Sequence, residues 1–312
     1  MGLDVVTFGE AMQLFVANRP GALEDVEAFI KRPAGAETNV AIGLARLGMS
    51  VGWVSRLGDD SMGRYLLRTL EIEGVDCSHV TTDPQQRTGF MIKGRVDGEG
   101  DPQIEYHRKG SAVSHFQPTD IDDSWLISAR HLHATGVFAA ISPNCLATAK
   151  RSMKLMRSAG RSISFDPNLR PSLWESPTIM RETLNQLADL ADWVLPGIEE
   201  GRFLTGAYDE EGIARFYRER GAKLVVIKLG SQGAYYEGDS GRGHVPGFPV
   251  REVVDTVGAG DGFAAGVISS LLEGQDVEVA VRRGAWIGAR QVQFLGDSEG
   301  LPTRSQLESD GC

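Results

Sequence analysis

Cysteine is scarce in this 312-residue chain. Cys77, Cys145 and Cys312 lie far apart, with no C-x-x-C pair. An odd, sparse set argues against a disulfide frame and for a reducing compartment. No apolar stretch approaches the ~18 residues that a bilayer-crossing helix needs. The opening Met1-Gly2-Leu3-Asp4-Val5-Val6 has neither a basic region nor a signal-type apolar run, and Val6 breaks the myristoylation pattern. Basic residues are in deficit, 32 against 42 acidic, for a net charge of −10. That excludes non-specific attraction to nucleic acid or an anionic membrane. No Gly-Lys pair occurs, so a Walker P-loop is absent, and Phe263 stands where a Rossmann fingerprint would place its last glycine. Repeats and low-complexity linkers are also missing. The expectation is a cytosolic globular protein with ample core.

What is present alternates. Leu3 to Phe8 reads as a buried strand. Thr38 or Asn39 is expected to cap a helix over 40–47, Val51 to Ser55 to be a strand, and 64–73 a helix. Strands and helices then follow in turn: 131–134, 143–159, 162–166, 178–189, 192–195, 210–220, 224–228. This pattern predicts an α/β fold, a doubly wound and mostly parallel sheet. Residues 87–112 break it. Gly89 to Val96 and Gln103 to Arg108 flank the turn Asp97-Gly98-Glu99-Gly100-Asp101-Pro102, which reads as a hairpin without a crossover helix. With parts of 11–33 it predicts a small, discontinuous β-sheet. The core is then 1–10, 34–86 and 113–312.

The chemistry concentrates at Asp255-Thr256-Val257-Gly258-Ala259-Gly260-Asp261-Gly262-Phe263. An apolar, β-prone run leads in, and a helix-like run from Phe263 to Leu272 follows. Three glycines in five residues let the backbone aim its N–H groups one way, and a helix N-terminus adds more. That makes an anion cradle. A carboxylate inside it would repel phosphate, so Asp261 reads as a general base for an attacking hydroxyl, or as an ordinary cap in a glycine-rich turn.

These nine residues resemble the D-T-x-G-A-G-D-x-F signature of the ribokinase-like (PfkB-type) carbohydrate kinases. The resemblance runs from Gly9 to Thr303. It implies that Gly258, Ala259 and Gly260 line an anion hole and that Asp261 is the catalytic base. Lys228, Gly230 and Gly233 match K-x-G-x-x-G, which implies nucleotide binding; taken alone, that stretch is a hairpin turn. Pro196-Gly197-Ile198-Glu199-Glu200 stands where the family has P-N-x-x-E. The asparagine is lost at Gly197, and only Glu200 carries over, as an indirect Mg²⁺ ligand. Gln293-Phe294-Leu295-Gly296 and Gly300-Leu301-Pro302-Thr303 match weaker family segments. ATP and Mg²⁺ are the implied cofactors, and a monovalent cation near Asp255 is open, as in some relatives. The small sheet is implied to be a lid that in many members also pairs subunits, so a homo-oligomer is expected.

Three further stretches resemble the 2-keto-3-deoxygluconate kinase branch of that family: Ala34-Gly35-Ala36-Glu37-Thr38-Asn39, Tyr106-His107-Arg108-Lys109-Gly110-Ser111-Ala112, and Asp166-Pro167-Asn168-Leu169-Arg170-Pro171-Ser172-Leu173-Trp174. They imply that Gly35, Tyr106, Arg108 and Arg170 contact an acid sugar, with Asn39 as a further contact. Arginine grips carboxylate in a two-pronged fork, although both arginines taken alone read equally as surface residues. Met91 stands where some members have tyrosine. The early loop does not match the G-G-K-G-A-N of ribose-type members. Fructokinase remains the alternative activity, and a catalytically silent sugar-binding regulator a third reading. His131 and His133 share one strand face but lack further metal ligands. The basic run 150–157 reads as a solvated helix face.

Overall fold

The computed structural model describes residues 2–95 and 103–309, so the expected turn at 97–102 and Cys312 lie outside the described residues. The chain opens with strands β1 (Val5–Phe8), β2 (Met12–Ala17) and β3 (Phe29–Ala34), and helix α1 (Ala36–Arg46). Strands β4 (Val51–Val54) and β5 (Arg56–Gly58), helix α2 (Ser61–Ile72), and strands β6 (Thr81–Asp83), β7 (Phe90–Lys93) and β8 (Ile104–His107) follow. Next come α3 (Asp123–Ser128), β9 (His131–Thr135), α4 (Gly136–Ile141), α5 (Pro143–Ser158), β10 (Ser162–Asp166), α6 (Pro177–Ala188) and β11 (Trp193–Val194). Helices α7 (Ile198–Thr205) and α8 (Glu210–Glu219) lead to β12 (Leu224–Lys228) and the antiparallel pair β13 (Ala234–Gly238) and β14 (Gly241–Val245). Three helices finish the chain: α9 (Ala259–Leu272), α10 (Val277–Gln291) and α11 (Arg304–Ser309).

The large sheet has the order β14-β13-β12-β11-β10-β9-β1-β4, parallel from β12 to β4 and antiparallel at the β13–β14 edge. Its parallel strands are buried almost throughout because both faces are covered. The period-2 alternation shows in what each face meets. Val6, Phe8, Val225 and Ile227 join the core under α5 and α6, while Val5, Leu224 and Val226 join the core under α1, α9 and α10. β2, β3, β7 and β8 form a separate four-stranded sheet from within 87–112 and 11–33, with β3 running one residue further, to Ala34. Its inner face, with Met12, Leu14, Val16 and Met91, packs with Leu295.

Several boundaries differ from the sequence reading. α1 begins at Ala36, capped by Gly35 rather than by Thr38 or Asn39. The Thr38 hydroxyl turns back onto the Gly35 carbonyl, and Asn39 uses its side chain elsewhere. The run before Asp255 is not a strand. The N–H groups of Val254 and Asp255 both donate to the Val292 carbonyl, which leaves Val253 and Val254 in solvent. α9 starts at Ala259, not Phe263, so the glycine-rich turn is its first turn. Glycine disfavours a helix, but here tertiary packing supplies the compensation. Residues 261–270 are all buried, and α9 lies so close to α10 that a Cβ at Gly266 would stand 2.7 Å from Gly284 Cα. Cys77 and Cys145 are buried and free. His131 and His133 are buried too, bonded to Ser162 and Ser164, and burial drives the His133 pKa down to about 3. Among the described residues, no group of three or more His, Cys, Asp or Glu is placed to hold a metal, and no helix is long and apolar enough to cross a membrane.

Candidate active site

The parallel strands end on a common edge, and the chain reverses direction across the sheet between β1 and β9. Such a switch point leaves a crevice above the carboxyl ends. Glu10 follows β1, Thr135 closes β9, Asp166 closes β10 and Lys228 closes β12. A cavity of about 360 Å³ opens here, under the four-stranded sheet. A second, of about 770 Å³, lies beside the β12–β13 connection and α10. Lys228, Thr256 and Gly260 line both, so the two spaces meet at the glycine turn.

Gly258 has φ 79°, and a Cβ there would stand 2.0 Å from the Asp297 carbonyl oxygen. Only glycine fits without strain. The amides of residues 258–261 have no acceptor among the described residues, as expected of an N-terminal helical turn. Asp261 sits among them, 8% exposed and lining the smaller cavity. Its Oδ2 accepts from Asn39 Nδ2 at 2.7 Å, and Asn168 Nδ2 stands 3.4 Å from its Oδ1. Burial raises the Asp261 pKa, opposed by the Asn39 hydrogen bond and by the charges of Arg170 and Lys228.

Lys228 Nζ pairs with Asp166 Oδ2 at 2.6 Å. Burial works against the Lys228 charge, but Asp166, Glu200 and Asp261 together raise its pKa. Burial lifts Asp166 to about 6 against the pull of Lys228. Gly230 and Gly233 line the larger cavity with positive φ. Their stretch is indeed a hairpin connection, from β12 to β13, and it faces that cavity as well. Glu200 lines the smaller cavity, but its oxygens accept the amides of Leu169 and Gly197 at 2.8 and 2.7 Å. A Cβ at Gly197 would stand 3.2 Å from Glu200 Oε2, a tight contact.

At the smaller cavity, Gly35 has φ 146°, and a Cβ there would meet the Glu10 carbonyl at 2.4 Å. Tyr106 is half-exposed and lies opposite Met91 across β7 and β8, with both lining the cavity. Arg108 is buried, with Nη2 2.5 Å from Glu10 Oε2, while Ser111 Oγ donates to Glu10 Oε1. The geometry at Nη2 is that of an ion pair rather than an aligned hydrogen bond, and Nε has no acceptor. Arg170 is exposed, and one guanidinium nitrogen bonds the neighbouring Leu169 carbonyl.

Four residues passed over in the sequence belong to this centre. Asn168, in the same motif as Arg170, holds φ 41° and touches Asp261. Glu37 is buried, accepts from Thr135 Oγ1 at 2.5 Å, and is pushed up to about 7 by burial. Asp297 is likewise raised to about 7 by burial. Lys93 reaches Asp255 from the four-stranded sheet. Lys93 had a signal in strand alternation, which sets it on the face of Met91, while Asn168 and Glu37 stood inside the motif stretches 166–174 and 34–39.

The sequence matches the pfkB family carbohydrate kinase pattern over residues 3–304. It is 50% identical to a 2-dehydro-3-deoxygluconokinase of Bacillus subtilis over 99% of this chain and 95% of that one. The fold superposes with TM-score 0.92 on a crystal structure of a PfkB protein from Polaromonas sp. JS666, at 65% identity and 98% and 99% coverage. A fructokinase from Vibrio cholerae, in a fructose-, ADP- and calcium-bound form, matches with TM-score 0.85 at 30% identity, covering 98% of each chain. A twin cavity joined at an unspent ring of amides, and these likenesses over nearly the full length, lead to one conclusion: the chain belongs to the pfkB family of carbohydrate kinases.

Proposed function

We propose that this kinase transfers the terminal phosphoryl group of ATP to the C6 hydroxyl of 2-keto-3-deoxygluconate. The observation that carries the reading is the position of Asp261, in the small cavity and within a ring of free amides that opens onto the larger one. The sugar takes the small cavity and the nucleotide the larger, with Lys228, Gly230 and Gly233 along its phosphates. Asp261 takes the C6 hydroxyl proton; that oxygen bonds to the γ-phosphorus as the bond to the β-bridging oxygen breaks, and ADP leaves. The amides of Gly258, Ala259, Gly260 and Asp261 meet the charge that spreads over the phosphoryl oxygens. Lys228 adds a fixed positive charge between the two spaces.

Arg108, which lines the small cavity and is held by Glu10, takes the acid end of the sugar. Arg170, whose charge already acts on Asp261, faces the transferring phosphate. Gly35, Asn39 and Tyr106 shape the rest of the sugar pocket. Mg²⁺ bound to ATP would neutralise phosphate charge. The residues fit a metal held mostly by phosphate and water: Glu200 has both oxygens engaged by amides and keeps only spare lone pairs for a water-mediated contact. The four-stranded sheet acts as the lid, and its exposed Phe29 and Ile30 suit pairing with a second copy.

ADP release with a panel of sugars tests the reading. Turnover with the keto-deoxy acid and not with fructose is expected. Turnover with fructose alone would replace it by the fructokinase reading, and none with any sugar would leave a binding protein.

A further inference from the structure

Lys93 belongs to none of the motifs above, yet it is among the most deeply buried side chains, 1% exposed. Strand β7 sets it on the inner face with Met91, lining the sugar cavity. Its Nζ lies 2.5 Å from Asp255 Oδ2. The same oxygen accepts the Gly296 amide at 3.2 Å, and Oδ1 accepts the Val257 amide at 3.1 Å. One carboxylate thus joins the four-stranded sheet, the 293–299 loop and the segment entering the glycine turn. Beside it, the Asp297 backbone is the wall against which Gly258 packs, and Lys93 is the charge that most offsets the burial of the Asp297 carboxyl.

The monovalent cation left open near Asp255 does not fit this arrangement. Oδ2 already receives two donors, which uses its lone pairs, and Oδ1 receives the Val257 amide, so one Oδ1 lone pair is all that Asp255 has left for a cation. A second cation would sit against a buried ammonium, where like charges repel strongly. We propose that Lys93 is a positioning residue: its ammonium is a built-in counter-ion for Asp255 that fixes the 255–258 segment, and with it the 258–261 amides, without an external monovalent cation. The claim of a functional consequence rests on the kinase reading; the claim about the cation site does not.

The test therefore has two readouts on the full chain. Thermal unfolding is compared in choline chloride and potassium chloride at equal ionic strength. Wild type should melt at the same temperature in both. Lys93→Met should melt several degrees lower in choline, from loss of a buried partner, and regain part of that loss in potassium or ammonium chloride. ADP release should follow the same pattern: wild type indifferent, and Lys93→Met slowed by about tenfold to a hundredfold in choline from misplaced amides, with partial rescue by potassium or ammonium. Lys93→Arg, which keeps the charge, should stay indifferent to the cation. A potassium requirement in wild type or Lys93→Arg overturns the proposal, as does a folded Lys93→Met with no cation-specific response. If Lys93→Met does not fold, the wild-type and Lys93→Arg comparisons decide. If no sugar yields ADP, the melting readout still does.

Discussion

Asn39 Nδ2 donates to Asp261 Oδ2 at 2.7 Å across 222 positions of sequence. The bond ties the first turns of α1 and α9, while Asp261 Oδ1 has Asn168 Nδ2 3.4 Å away. Asp261→Asn should bind both substrates and turn over roughly 10²–10⁴-fold more slowly, the usual worth of a general base. Asn39→Ala removes one of the influences that hold the Asp261 pKa down. The acid limb of its kcat/KM profile should move to higher pH, because the base then ionises later. An unmoved limb would separate that limb from Asp261.

Arg108 shares its charge with buried Glu10. Arg108→Lys keeps a cation for Glu10 but loses the planar fork. Losing one charged hydrogen bond costs about 1.5–3 kcal/mol, so KM for the acid sugar should rise roughly tenfold to a hundredfold. KM for ATP should not change, and steady-state kinetics with each substrate varied in turn shows the split.

The two turn glycines should fail differently. Gly258→Ala forces a side chain into positive φ and onto the Asp297 carbonyl, so it should lower stability by about 1–3 kcal/mol or more. At Gly260 a Cβ would stand 3.5 Å from Lys228 Nζ, an ordinary contact. Gly260→Ala should therefore melt close to wild type while turnover falls, because the methyl enters the space where the two cavities meet. Paired melting and kinetic measurements check this.

Glu37 is a fully buried carboxyl whose pKa rises from 4.5 to about 7. Protonation therefore favours the folded state. The stability this group contributes is complete below pH 4.5 and is lost as pH rises through about 7. Glu37→Gln, neutral at every pH, should be more stable than wild type at pH 8, on the order of 3 kcal/mol, with the gap closing towards pH 5. Urea unfolding across that range measures it. Asp297 and Asp166, raised to about 7 and 6, act in the same direction in wild type.

The alternating strands and helices, the separate sheet from 11–33 and 87–112, and the glycine-aspartate turn were legible because each is written in local order: periodicity, punctuation by glycine, and a contiguous motif. The strandless approach to Asp255 was not, since Val253 and Val254 have β propensity, but the amides of Val254 and Asp255 find their acceptor at Val292, far along the chain. The start of α9 was misplaced for the related reason that glycine propensity is overruled by burial against α1 and α10.

The sequence by itself determined the fold class and the place of the glycine-rich turn with its aspartate. Tertiary structure alone decided which groups surround that acid. Asn39, Asp166, Lys228 and Arg108 acquire their charge partners, and Lys93 its place at Asp255, only when distant segments meet out of water. There, burial and pairing, rather than residue type, set what each group can do.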